Sequence, residues 1–140
     1  MDKEYPKHKI KVKEDFYPQM VEIIKHSTLA IKDKLNKKKR QFCYVTLGYD
    51  FMIDSDLRVW LIEINKNPGL CESSNIIKML IPRMIDDSLR LTLDDVFEPK
   101  YINNDPNNYK SPFSVEGYED TENMWQYLLA LSPSEAPTGK

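Results

Sequence analysis

The sequence predicts an α+β fold, an antiparallel β-hairpin packed against helices, on three observations. Two runs of apolar, β-branched and aromatic residues, 47–53 and 59–64, flank the short polar segment 54–58, which is hairpin patterning. Ahead of them Met20, Ile24, Ser27, Ile31 and Leu35 recur at helical spacing. Behind them a second stripe runs through Ile85, Leu89, Thr92 or Leu93 and Val96.

The first segment, 1–14, alternates charge and apolarity through Lys9, Ile10, Lys11, Val12 and Lys13. It reads either as an edge strand kept soluble by lysine or as a disordered connection. His8 stands there with no second ligand near it in sequence. Asp15 is placed to cap the first helix, with Pro18 tolerated in its first turn. Val21, Ile23 and Thr28 widen the core stripe, and His26 falls outside it, on the surface. Asn36 and the cations Lys37, Lys38, Lys39 and Arg40 end the helix, where its dipole favours positive charge. Residues 41–46 read as the entry of the strand that continues to Asp54, and Gly48 suggests a bulge or a close approach by another backbone.

Side chains alternate faces along a strand, so Asp50, Met52 and Asp54 share one face, and Tyr49, Phe51 and Ile53 the other. On the return Val59, Leu61, Glu63 and Asn65 share a face, and Trp60, Ile62 and Ile64 form the opposite one, read as core. A turn centred on Asp56 and Leu57 sets Asp54 opposite Val59 and Asp50 opposite Glu63, with Cβ atoms roughly 5 Å apart. Two like charges that close repel and call for something positive between them. Asn65 adds an amide oxygen to that face. Such a hard, all-oxygen set suits magnesium, which completes its octahedron with water and phosphate. The other reading is a solvated sheet face whose carboxylates pair with lysines. Lys66, Asn67, Pro68 and Gly69 are turn chemistry that stops the strand after Asn65, leaving the trio at a strand end. Lys66 itself either holds a phosphate or faces solvent.

Ser73 or Ser74 caps a helix beginning near Asn75, packed behind the hairpin, and Pro82 should kink or restart it. From Glu98 the composition turns to Pro and Asn, which is loop. One short amphipathic helix is expected over 121–131, capped by Asp120 or Thr121, with Trp125, Leu128 and Leu129 docking on the domain or on a partner. Residues 132–140 have a disordered composition.

A chain of 140 residues is a plausible single domain. With 20 basic and 22 acidic residues its net charge of −2 gives no field that argues for nucleic acid. Cys43 and Cys71 fit neither a disulfide framework nor a metal-binding spacing and read as reduced thiols, a cytosolic pattern. No apolar run approaches membrane-spanning length, the N-terminus is not a signal peptide, and no internal repeat is present.

The string from Gly48 to Asp54, followed by that from Val59 to Pro68, resembles the C-terminal signature of the tubulin-tyrosine ligase and ligase-like family. The resemblance continues through Gly69, Leu70, Cys71, Glu72, Ser73 and Ser74 and from Leu80 to Asp87. It covers roughly 16–99 and is strong over 47–87. It implies the C-terminal portion of an ATP-grasp ligase domain over 1–99, followed by a loop-rich tail over 100–140. It also implies ATP and Mg2+ as cofactors, with Asp50, Glu63 and Asn65 as metal ligands and Ile62 packing near the adenine. No residue is assigned a catalytic role.

The implied reaction is ATP-dependent. A substrate carboxylate on tubulin takes the γ-phosphoryl group, and the acyl phosphate is captured by the amine of an amino-acid co-substrate. The family setting is cytoplasmic and cytoskeletal, with cilium or axoneme as candidate sites. Tubulin tails are rich in glutamate, so Lys37, Lys38, Lys39 and Arg40 become candidate contacts. The family's earlier half, with its lid and phosphate-holding lysines, is not recognisable before residue 40, so the chain is expected to be a partial domain with little activity alone. The alternatives are a catalytically inactive module that binds tubulin or microtubules, and an ATP-grasp ligase acting on a small molecule.

Overall fold

The computed structural model describes residues 10–38, 40–71, 74–94, 96–97 and 109–131. Its elements are a one-turn helix α1 (Val12–Asp15), helix α2 (Tyr17–Ile31) followed by a 3-10 turn (Lys32–Lys34), strands β1 (Gly48–Ile53) and β2 (Val59–Asn65), and helix α3 (Asn75–Thr92). This is the α+β class expected, with β1 and β2 forming a two-stranded antiparallel sheet. Among the described residues no helix is long and apolar enough to cross a membrane. The chain divides into two compact units. One holds the described residues of 10–38, 47–66 and 128–131, and the other holds those of 40–46 and 67–127.

In the first unit α2 is the helix that lies against the hairpin. Asp15 does not cap it. Its Oδ2 accepts from the Lys11 backbone N–H at 2.8 Å, closing the start of α1 instead. Phe16 then breaks the helical run and buries its ring, and α2 starts at Tyr17 with Pro18 in the first turn, where a missing N–H costs nothing. Of the two readings of 1–14, the edge strand is overturned, because Val12 and Lys13 are helical; His8 and Lys9 lie outside the described residues.

The stripe of Met20, Val21, Ile23, Ile24, Ser27, Thr28 and Ile31 is half-buried, while His26 is exposed. Gln19 ties α2 to the hairpin through Nε2 to Leu57 O at 3.2 Å and Oε1 from Val59 N–H at 3.1 Å. Ser27 Oγ and Tyr49 Oη meet at 3.2 Å. The helix stops at Ile31 rather than running to Leu35. Residues 41–46 form no strand among the described residues; β1 begins only at Gly48.

In the second unit Ser74 caps α3, its Oγ accepting from Ile77 N–H at 3.3 Å; Ser73 lies outside the described residues. Pro82 neither ends nor restarts the helix, which runs on to Thr92. The buried face of α3 carries not the expected apolar stripe but Arg83 and Asp87, each 0% exposed. They are covered by residues from 109–127. No helix forms over 121–131, correcting the amphipathic-helix expectation. The covering residues 109–127 are instead held by their backbone, with Arg83 Nη1 donating to Phe113 O at 3.0 Å and Nη2 to Glu119 O at 2.9 Å and to Glu122 O. Trp125 does dock within the chain, its Nε1 donating to Met84 O at 3.0 Å. Residues 98–108 and 132–140, where a Pro- and Asn-rich loop and a disordered end were expected, lie outside the described residues.

Candidate metal-ligand site on the hairpin

The hairpin turn fixes where the first side chains of β2 point, as far as Leu61. Leu57 N–H donates to Asp54 O at 3.1 Å and Asp54 N–H to Arg58 O at 3.0 Å, a three-residue loop in which Leu57 takes the left-handed conformation at φ 62°. Asp54 builds that loop. Its Oδ1 accepts from the N–H groups of Asp56 and Arg58 at 2.9 Å each, and its Oδ2 accepts from Trp60 Nε1 at 2.8 Å. The Trp60 bond is the main reason the Asp54 carboxyl sits below its ordinary pKa, with the backbone donors adding to it.

This turn pairs Ile53 with Val59, Met52 with Trp60 and Phe51 with Leu61, one residue off the expected register of Asp54 against Val59. Between Asp50 and Phe51 the register shifts, and from there Asp50 pairs with Glu63, Tyr49 with Ile64 and Gly48 with Asn65. The extra residue on β2 is Ile62. The irregularity lies there, not at Gly48.

The shift also overturns the expected faces. Val59, 8% exposed, and half-buried Leu61 turn toward α2 with Tyr49 and Phe51, whose rings stack with centroids 6.0 Å apart. Trp60 and Ile62, expected in the core, are 54% and 57% exposed, alongside exposed Met52. Because a bulge adds one residue to the period-2 alternation, Glu63 and Asn65 leave the face of Val59 and Leu61 and join Asp50 on the exposed one.

Asp50, Glu63 and Asn65 therefore converge. Asn65 Nδ2 donates to Asp50 Oδ2 at 2.9 Å and to Glu63 Oε1 at 3.1 Å. Both carboxylates are exposed and Asn65 is half-buried. No group of three or more His, Cys, Asp or Glu fit to hold an ion occurs among the described residues, so this cluster reaches three donors only through the amide. The donor chemistry fits a hard divalent cation: two carboxylates are paired across the ladder and bridged by an amide N–H donor, and the amide carries an oxygen of its own.

Ile62 lies at the bulge, next to Glu63 in sequence, with its side chain open to solvent. Lys66 is exposed just past the strand end. Lys37 and Lys38 are exposed in the turn after the 3-10 segment, Lys39 lies outside the described residues, and Arg40 is exposed but belongs to the other unit. Cys43 and Cys71 are free thiols.

Reading the sequence missed the Trp60 to Asp54 staple, which alternation hides because it treats Trp60 as core. It also missed the Arg83–Asp87 pair, whose i, i+4 spacing was visible but whose burial was not.

The profile of the tubulin-tyrosine ligase family matches residues 2–102. Among curated proteins, Protein polyglycylase TTLL10 of Rattus norvegicus is 38% identical over 79 residues, 56% of this chain and 11% of that protein. Tubulin glycylase 3B of Tetrahymena thermophila is 32% identical over 81 residues, 58% of this chain and 7% of that protein. A human relative, named Inactive polyglycylase TTLL10, is 38% identical over 76 residues, 54% of this chain and 11% of that protein. The chain thus matches about a tenth of the length of these relatives. No solved structure matches it significantly. With a match of that extent, running across the hairpin that carries Asp50, Glu63 and Asn65, the chain belongs to the tubulin-tyrosine ligase family.

Proposed function

We propose that this chain carries the ion-binding end of an ATP-dependent ligase that joins an amino acid to a carboxylate of tubulin. The observation that carries the reading is the convergence of Asp50, Glu63 and Asn65 on one exposed face at the end of β2. Asp50 and Glu63 would hold Mg2+ through carboxylate oxygens and Asn65 through Oδ1. The ion, when bound, would offset negative charge on the ATP phosphates. Exposed Ile62, adjoining Glu63, is the apolar surface nearest in sequence on which an adenine would pack. Glycine is the favoured co-substrate, because the relatives from rat and Tetrahymena are named as glycylases. The residues 1–99 would form the ligase portion and 100–140 a tail, in a protein working in the cytoplasm on the cytoskeleton.

The name of the human relative, at the same identity as the rat protein, supports a second reading, a module that binds tubulin without catalysis. Exposed Lys37, Lys38 and Arg40 would then serve as contacts to acidic tubulin tails, in a complex that weakens with salt. One substitution separates the two. In Glu63→Gln the ion loses a charged ligand, and Mg-ATP affinity should fall about tenfold or more, about 1.4 kcal/mol. Tubulin co-sedimentation should be unchanged. Intact Mg-ATP binding in Glu63→Gln would remove the ion assignment, and salt-insensitive tubulin binding would remove the cationic contact.

A further inference from the structure

We propose that Asn65 is a placeholder for the cation: in the ion-free chain its amide N–H groups hold Asp50 and Glu63 together, and the amide turns over to present its oxygen when an ion takes their place. This rests on the ion reading of the site. The ladder register sets the two carboxylates directly opposite each other, where like charges destabilise the pairing. Of the two ends of an asparagine amide only the NH2 can be shared by two acceptors, since its oxygen would add a third negative dipole. The 2.9 Å and 3.1 Å bonds from one nitrogen to both carboxylates are that sharing.

The same nitrogen cannot ligate a hard cation, so for Asn65 to become a ligand the amide must give up both bonds and bring Oδ1 round. The terminal torsion of asparagine is broad and roughly two-fold, so the turn needs no backbone change. Asparagine at 65 therefore does what neither neighbour in chemistry can do. Leucine of similar size leaves the carboxylates repelling. Aspartate would bind an ion more tightly but leaves three negative groups together without one.

The test uses the 140-residue chain, with thermal unfolding followed in EDTA and in excess Mn2+, and with the Asn65 side-chain amide resonances followed during Mg2+ titration. Asn65→Leu and Asn65→Asp are both expected to lower Tm in EDTA by about 4 °C or more. Mn2+ should raise the Tm of Asn65→Asp by more than that of the wild type, and that of Asn65→Leu by less. In the wild type the Asn65 NH2 resonances should move as Mg2+ is added, a readout that stands even if a variant does not fold.

If Mn2+ raises the wild-type Tm while the Asn65 resonances stay fixed and Asn65→Leu keeps its Tm in EDTA, the placeholder is overturned and the ion site stands. If Mn2+ leaves the wild-type Tm unchanged and Mg2+ leaves its spectrum unchanged, the ion site itself falls, and the exchange with it.

Discussion

A single carboxylate, Asp54, does for the hairpin turn what an Asn-Gly pair does in many others. Its two oxygens take three donors, two from the backbone and one from the Trp60 indole. That holds a loop containing Leu57 in a left-handed conformation, which a residue without a Cβ would take at no cost. All three bonds go to the charged form, so the carboxyl is depressed below its ordinary 3.8, with the Trp60 bond the largest cause. A depressed acid contributes its full share above the unfolded pKa and loses it as pH falls through the folded one. The Trp60 indole N–H resonance should therefore titrate with acid, its midpoint lying below the ordinary 3.8. In Asp54→Asn the amide oxygen can still take the turn N–H groups, but its NH2 cannot accept from Trp60. That variant should lack the acid shift, with the indole resonance already at its acidic position at neutral pH. An indole resonance insensitive to acid in the wild type would mean that the staple does not form in solution.

At the level of the element, the bulge at Ile62 is what delivers the trio. The turn starts the ladder so that Asp50 would meet Ile62 and leave Glu63 facing α2; one extra residue moves Glu63 to Asp50 on the exposed side. Deleting Ile62 makes this testable. With the observed register the deletion regularises β2, keeps Glu63 opposite Asp50, and should leave the Mn2+ response in place, with stability changed by no more than ~1 kcal/mol. An unbulged hairpin with Asp54 against Val59 would instead turn Glu63 toward α2 on the same deletion, and the ion response would vanish. The hairpin and its Asp50–Glu63 pair were legible in the sequence because two apolar runs bracket a polar turn. The register at the turn was not, because nothing in 54–58 signals that Leu57 takes the left-handed position. The trio was reached by a uniform alternation that the bulge breaks, and the same break exposes Trp60 and Ile62, whose apolar character had marked them as core. Helix α3 was legible from Ser74 onward. The 121–131 segment was not: Trp125, Leu128 and Leu129 have helical spacing, but the backbone there is spent on Arg83 and Asp87 instead.

Across the whole molecule, apolar burial is thin and one ionic pair does much of the ordering. Among the described residues Phe16, Val59 and Val115 are the buried hydrophobic side chains, and the two fully buried side chains are Arg83 and Asp87. Arg83 Nε donates to Asp87 Oδ2 at 3.0 Å, and its other nitrogens donate to the carbonyls of Phe113, Glu119 and Glu122. Asp87 Oδ2 also takes the Met124 N–H at 2.9 Å, and Asn123 Nδ2 donates to Asp87 O at 3.0 Å. The neighbouring turn of α3 adds Asp86, which accepts from Tyr109 Oη and from Ser111 Oγ, both at 2.7 Å to Oδ2. Burial, with the hydrogen bond to Asp86 second and the Asp86 charge third, pushes the Tyr109 phenol up to about 12. A guanidinium with this many partners is tolerated out of water only because Asp87 on its own helix and the carbonyls of 109–127 supply them. Arg83→Ala takes from the buried Asp87 carboxylate its hydrogen-bonded cation, leaving the longer 3.6 Å approach of Arg90 Nη1 to Oδ1, and frees three carbonyls. Breaking one side of a buried pair typically costs ~3–5 kcal/mol, which is the loss expected here by denaturant unfolding. The segment 109–127 should then become the first site of limited proteolysis. The double variant Arg83→Met with Asp87→Leu removes both charges and should recover much of the lost stability, while the segment, deprived of its backbone partners, stays open to protease. If Arg83→Ala instead loses under ~1 kcal/mol and the segment stays protected, the pair is not what holds it, and the scattered apolar contacts of Val115 and Trp125 must be sufficient.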